Sequence, residues 1–182
     1  SAVGSEATLI GLTTLARSAA PSLALFAAMI MRPRLDAGDF DRVRDLRLNR
    51  LLQMRDMPPA VAERVFTERL YGAHPYGHLP IGSEASLRSM AAAEPRAFHQ
   101  QMYDPSRVTV IAVGSGTHEA LGDAVDAAFG GWQARPGGRS HLDPAALPIP
   151  PGAAELLVIS RPGAPQSELR LGHVAVARSS TD

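Results

Sequence analysis

The sequence contains no cysteine and no lysine. Without cysteine there is no disulfide and no thiolate metal site, and the redox compartment is left open. Without lysine, all 18 basic residues are arginine. Together with abundant Ala, Gly and Pro, this reads as GC-rich bacterial codon usage rather than as a functional signal. It leaves the compartment, bacterial cytoplasm or periplasm, undecided. Excess charge of either sign is also lacking, since 18 acidic residues balance the arginines to a formal net charge of zero. Nothing electrostatic therefore points to nucleic acid or to an anionic membrane. The longest apolar run, "PSLALFAAMIM" (21–31), is too short to cross a bilayer, so no membrane span is expected. No signal peptide is visible, and the chain reads as beginning inside a domain. What is present is globular in character: 182 residues, 45% apolar and 20% charged, enough for one domain or two small ones.

Local patterns predict the element order. "ATLIGLTTL" (7–15) is rich in apolar and β-branched residues and predicts a buried strand. "SAAPSLALFAAMIM" (18–31), with Ser18 before it and Pro21 in its first turn, predicts a helix, apolar nearly all round and so expected in the core. Residues 39–56 predict a second helix with an apolar stripe of Phe40, Val43, Leu46, Leu51 and Met54 and outward arginines. Pro58 and Pro59 divide it from a third helix over 60–72. Short helices are predicted near 84–90 and over 94–103. "RVTVIAVG" (107–114) reads as the clearest strand. A helix follows over 117–132, capped by Thr117 and stopped by Gly130 and Gly131. Residues 133–152, with five prolines and three glycines, read as a linker. "ELLVISR" (155–161) and "SELRLGHVAV" (167–176) predict the last strands. The expected fold class is α+β, helices on one face of a mainly antiparallel sheet. The expected division is a first subdomain over 1–132, the linker, and the start of a second subdomain over 153–182.

The stretch "YGAHPYGH" (71–78) raises a chemical question, because it sets His74 and His78 four apart. On a helix, that spacing is the core of many zinc sites. Here Pro75 cannot donate to a helix ladder and pushes His74 out of the α region, and Gly77 weakens a helix further. No Glu lies between the two histidines to act as general base. A structured turn made by His74, Pro75, Tyr76 and Gly77 is the preferred reading, and a His74/His78 metal pair is the alternative.

Several segments together resemble the pitrilysin/insulinase-type zinc metallopeptidases, the family of the insulin-degrading enzyme and the mitochondrial processing peptidase. They are "MIMRPRLDAGDFDRVRDLRLNRLLQMRDMPPAVAERVFTERLYGAHPYGHLPIGSEASL", then "FHQQMYDPSRVTVIAVGSGTHEALGDAVDAAFGGW", then "RPGAPQSELRLGH". The similarity runs over nearly the whole chain. It implies a half-domain of the processing-peptidase type, incomplete at both ends, in an enzyme whose paired halves enclose a peptide. One half carries H-x-x-E-H on a helix and a third zinc ligand, a Glu, on a later helix. H-x-x-E-H does not occur here; its counterpart would lie before Ser1. The helix corresponding to the third ligand is 42–56, and the ligand position aligns with Arg50. Residues 46–55 contain no carboxylate, and a guanidinium has no lone pair to offer zinc. The resemblance therefore implies the catalytically silent half, without zinc of its own, with zinc in the catalytic half. It also implies that "HPYG" is a recurring turn rather than the zinc motif.

The implied partners are the zinc-bearing half and peptide substrates. One alternative is a scaffold without peptidase work. Another is a half needed for turnover through residues beyond Asp182. Gln166, just before a predicted strand, and Trp132, at a helix end, are the candidate contacts for peptide or partner; ordinary turn bonding and core capping are the plainer readings. His99, His118, His141 and His173 are scattered and read as surface or satisfied core histidines. Glu63 and Glu68 are read as i, i+4 partners of arginines on one helix. Because the predicted sheet lacks neighbours at its ends, a homodimer of this chain through an edge strand is also expected.

Overall fold

Helices carry most of the ordered backbone in the computed structural model, which describes residues 1–4, 6–134, 152 and 154–176. Among the described residues six α-helices run in order: α1 Ala19–Met31, α2 Ala37–Arg55, α3 Pro58–Tyr71, α4 Glu84–Ser89, α5 Ala93–Met102 and α6 His118–Phe129. Their limits follow local chemistry. Pro58 and Pro59 start α3, where a missing N–H costs nothing. The Thr117 hydroxyl accepts from the Ala120 amide at 3.2 Å and caps α6. Between α5 and α6, Asp104 is buried and caps a single 3-10 turn, its Oδ1 accepting from the Ser106 amide at 3.0 Å. Among the described residues no helix is long and apolar enough to cross a membrane.

The chain divides into two units, one made of residues 1–2, 8–42 and 90–140 and the other of 3–7, 43–89 and 141–182. In the first, α1 packs on α6. The covered stripe of α6 is Leu121, Ala124, Val125, Ala128 and Phe129, the spacing of one helical face. Phe26 of α1 meets Phe129 edge-on at 6.4 Å, a pairing worth about 1 kcal/mol beyond its area. In the second unit, α3 covers Val61, Ala62, Val65, Phe66 and Leu70 along its own stripe. The 167–176 segment lies on this helix. Arg170 Nε donates to Glu63 at 3.1 Å, and a Cβ on Gly172 would meet the Phe66 ring at 2.9 Å.

Four expectations are corrected. The mainly antiparallel sheet is not found: among the described residues the one sheet pairs β1 Ala2–Val3 with β2 Thr8–Leu9. Of the predicted strand 7–15 only Thr8–Leu9 pairs, and 107–114, 155–161 and 167–176 carry no ladder. The reason is that β-propensity describes fit to a pleated, half-buried surface, whereas a strand also needs a hydrogen-bonded neighbour. Period-two alternation does survive at 169–172. Arg170 and Gly172 face α3, while Leu169 and Leu171 are 80% and 95% exposed. Second, α1 is not core all round. Ser22, Leu23, Phe26, Ala27 and Ile30 are covered, but Leu25 and Met29 are exposed. Third, the stripe of α2 runs through Phe40, Arg44, Leu48, Leu51 and Met54, and Val43 and Leu46 face solvent. Positions 40, 44, 48 and 51 line up at helical spacing, and 43 and 46 rotate off that line. Fourth, Glu63 pairs with Arg170, far along the chain, and Glu168 completes the cluster at 3.3 Å. The predicted linker lies outside the described residues except at 133, 134 and 152.

Candidate functional site

The second unit holds the "HPYG" turn, and its geometry is built by three rings and two glycines. Helix α3 ends at Gly72, which has φ +56° and whose amide donates to Glu68 O at 2.8 Å. The chain then reverses, and Pro75–Gly77 forms one 3-10 turn. His74 precedes it in an extended conformation, as a residue before proline must. Its Nδ1 accepts from the Tyr76 amide at 3.1 Å. The Gly77 amide donates to His74 O at 2.7 Å. A Cβ on Gly77 would stand 2.1 Å from Gly72 O, so no other residue fits without moving backbone.

The rings close the site. His74 is buried and meets Tyr76 at 4.8 Å, while Tyr71 meets Tyr76 edge-on at 5.7 Å. The Tyr76 hydroxyl donates to the Glu6 carboxylate. His78 leaves the turn in an extended conformation and is exposed. The two histidines thus differ in burial and setting. With its lone pair engaged by the Tyr76 amide, Nδ1 of His74 is not available to a cation in this geometry. No group of three or more metal-ligating side chains occurs among the described residues.

The other candidates stand apart from this turn. Arg50 is exposed on α2, its Nη1 at 3.5 Å from Gln53 Oε1. Gln166 is exposed in a bend after Gly163, which has φ +80°. Trp132 belongs to the first unit, half-buried, its ring tilted at 6.3 Å from Phe129. Two clusters escaped the sequence reading. Arg161 donates to the α2 terminal carbonyl of Arg55 at 3.0 Å and pairs with Asp56 at 3.3 Å. Glu84 receives Arg55 at 2.5 Å and Arg88 at 3.0 Å. Its carboxyl is held below the usual range, first by the Arg88 hydrogen bond and then by the charge of Arg55. Glu63 and Glu168, by hydrogen bonding, raise the already high value of the Arg170 guanidinium further. Only the Glu84–Arg88 spacing was readable as a signal, at i, i+4.

Comparison with known proteins adds three findings. Residues 89–182 match the family model of the peptidase M16 inactive domain. An uncharacterized zinc protease of Mycobacterium tuberculosis is 32% identical over 156 residues, covering 81% of this chain and 33% of that protein. One from Mycobacterium leprae is 26% identical over 155 residues, covering 85% and 34%. The chain thus spans about a third of the length of these relatives. A crystal structure of a peptidase M16 inactive domain from Pseudomonas fluorescens shares the fold, with a TM-score of 0.62 at 24% identity over 68% of this chain and 30% of that one.

Proposed function

The chain belongs to the M16 peptidase family and carries its inactive domain, and from that premise we propose that it is the catalytically silent half of a zinc protease. Its work is to pair with a zinc-bearing half and help enclose peptide substrates. The observation that carries this reading is the match of residues 89–182 to the inactive domain. Independent support comes from α2. At the position that the family resemblance assigns to a glutamate ligand stands Arg50, exposed and turned to Gln53, with no carboxylate from 46 to 55. A cation there would repel Zn²⁺. The same proposal takes "HPYG" as a structural turn, with zinc resident in the partner half, and retains the division into 1–132, 133–152 and 153–182.

The test has two readouts. Elemental analysis of the dialysed chain is expected to find zinc well below stoichiometry. A quenched fluorescent peptide is expected to stay intact with the chain alone. Tightly held stoichiometric zinc that is lost in a His74→Ala, His78→Ala double variant would overturn the silent-half reading. So would chelator-sensitive cleavage by the chain alone.

A further inference from the structure

The first unit contains an open surface pocket of about 260 Å³, lined by Met31 at the end of α1, by the 32–35 loop and by Arg96, His99 and Gln100 of α5. Three guanidinium groups line it, Arg32, Arg34 and Arg96. The ion pair described among them is Arg34 with Asp36 at 3.6 Å, so positive charge is in excess.

Part of the lining, Arg96, His99 and the backbone of 34–35, is held in place before any ligand arrives. Arg96 Nη2 donates to the carbonyls of Arg34 and Leu35 at 3.3 and 3.1 Å. A guanidinium has five donors, and these two bonds engage one nitrogen. They also clamp Leu35 at φ +49°, a left-handed conformation that costs a leucine energy. His99 lies 2.7 Å from Ile30 O. A carbonyl only accepts, so Nε2 carries the hydrogen. The imidazole stacks on Tyr103 at 4.7 Å, which fixes its plane. A strained loop pinned by an arginine, beside two further arginines, has its ordering cost met by the fold.

We propose that this pocket receives a peptide carboxylate, and the proposal rests on the peptide-enclosing reading above. Two features select that ligand. Guanidinium forks match a carboxylate with two parallel hydrogen bonds. The space is smaller than clefts for drug-sized ligands, which start at roughly 300 Å³, so it fits an acidic side chain or a chain end. Either source offers the same carboxylate, and the test separates them.

Three labelled peptides of otherwise identical neutral sequence serve as probes in fluorescence anisotropy with the 182-residue chain. One has an internal Glu and an amidated end, one a free C-terminal carboxylate, and one neither. A carboxylate peptide is expected to bind about threefold to tenfold tighter than the neutral one at low salt, and the advantage should shrink as salt screens it. The peptide with the advantage identifies the source. The Arg32→Gln, Arg34→Gln double variant, at two exposed positions, is expected to abolish the difference, and His78→Ala to preserve it. Arg96 is left intact because it clamps the loop. Equal binding of all three peptides, or an undiminished difference in the double variant, overturns the pocket while the peptide reading stands. No binding of any peptide overturns both.

Discussion

Gly77→Ala measures how tightly the "HPYG" turn is built. The new Cβ would lie 2.1 Å from Gly72 O and 3.1 Å from Gly72 C. Real Cβ contacts are not found below 3.0 Å, so the carbonyl must retreat by about 1 Å. It is not free to do so. Gly72 closes α3 in a left-handed conformation, and its amide is bonded to Glu68 O at 2.8 Å. On the other side, the Gly77 amide holds His74 O at 2.7 Å. Moving either backbone loosens a helix end or the turn itself, and overpacking of this kind costs about 1–3 kcal/mol. We expect the upper part of that range, because both obstructing atoms are backbone rather than a flexible side-chain end. In a chain of this size that lowers Tm by about 5–10 °C. Gly38→Ala is the internal control. It lies in α2, its Cβ would meet nothing within 4 Å, and alanine in a helix is favoured by up to about 1 kcal/mol. Urea and thermal unfolding of both variants decide the matter. Equal midpoints for Gly77→Ala and wild type would refute the turn as described.

Tyr76→Ala should cost about 2–3 kcal/mol, since it removes a half-buried ring held between His74 and Tyr71. His78→Ala, at an exposed position, should stay within about 0.5 kcal/mol; equal shifts in thermal melts would show the loop misread. Glu84 gives a pH signature. Its folded-state value lies below the unfolded one, so its contribution is complete above the ordinary carboxylate range and is lost as pH falls through the folded value. The Tm gap between wild type and Glu84→Gln should therefore close as pH falls through and below the ordinary carboxylate range, and a gap that widens in acid would contradict the Arg88–Glu84–Arg55 cluster.

Helices were legible in the sequence because their signals are local. Thr117 caps α6, and the two prolines open α3, where spacing alone predicts them. At 74–77 the local signal is Pro75, which fixes its own φ and keeps His74 out of the α region, whereas the close approach of Gly77 to Gly72 O has no local sign. The sheet was not. The residues of 155–161 and 167–176 have the composition of strands, but pairing is a property of two segments, and one segment carries no record of its neighbour. The stripe of α2 failed for a related reason. Its apolar residues fit more than one face, and Arg44 is drawn inward because a long side chain can bury its stem while its charge reaches out. The 31–35 pocket was invisible in sequence, because it depends on Arg96 reaching a loop some sixty residues earlier.

The arginine pairs of the second unit fix position more than they add stability. Arg69 with Glu155 at 3.7 Å, Arg161 with Asp56 at 3.3 Å and Arg170 with Glu63 at 3.1 Å all join the 154–176 segment to the ends or face of α2 and α3. Their side chains are substantially solvent-exposed, where ion pairs contribute little net stability. Their geometry is informative instead. Arg161 holds the last α2 carbonyl through one nitrogen and the Asp56 carboxylate through another, so a slide along α2 would break both bonds. Arg170 sits between Glu63 and Glu168, two residues from Gly172, where the backbone comes close to Phe66. A shift by one residue would turn Leu169 or Leu171 toward α3 and carry Arg170 away from Glu63. The pairs thus select one register out of several that hydrophobic contact alone would accept, and that register leaves Leu169 and Leu171 facing outward.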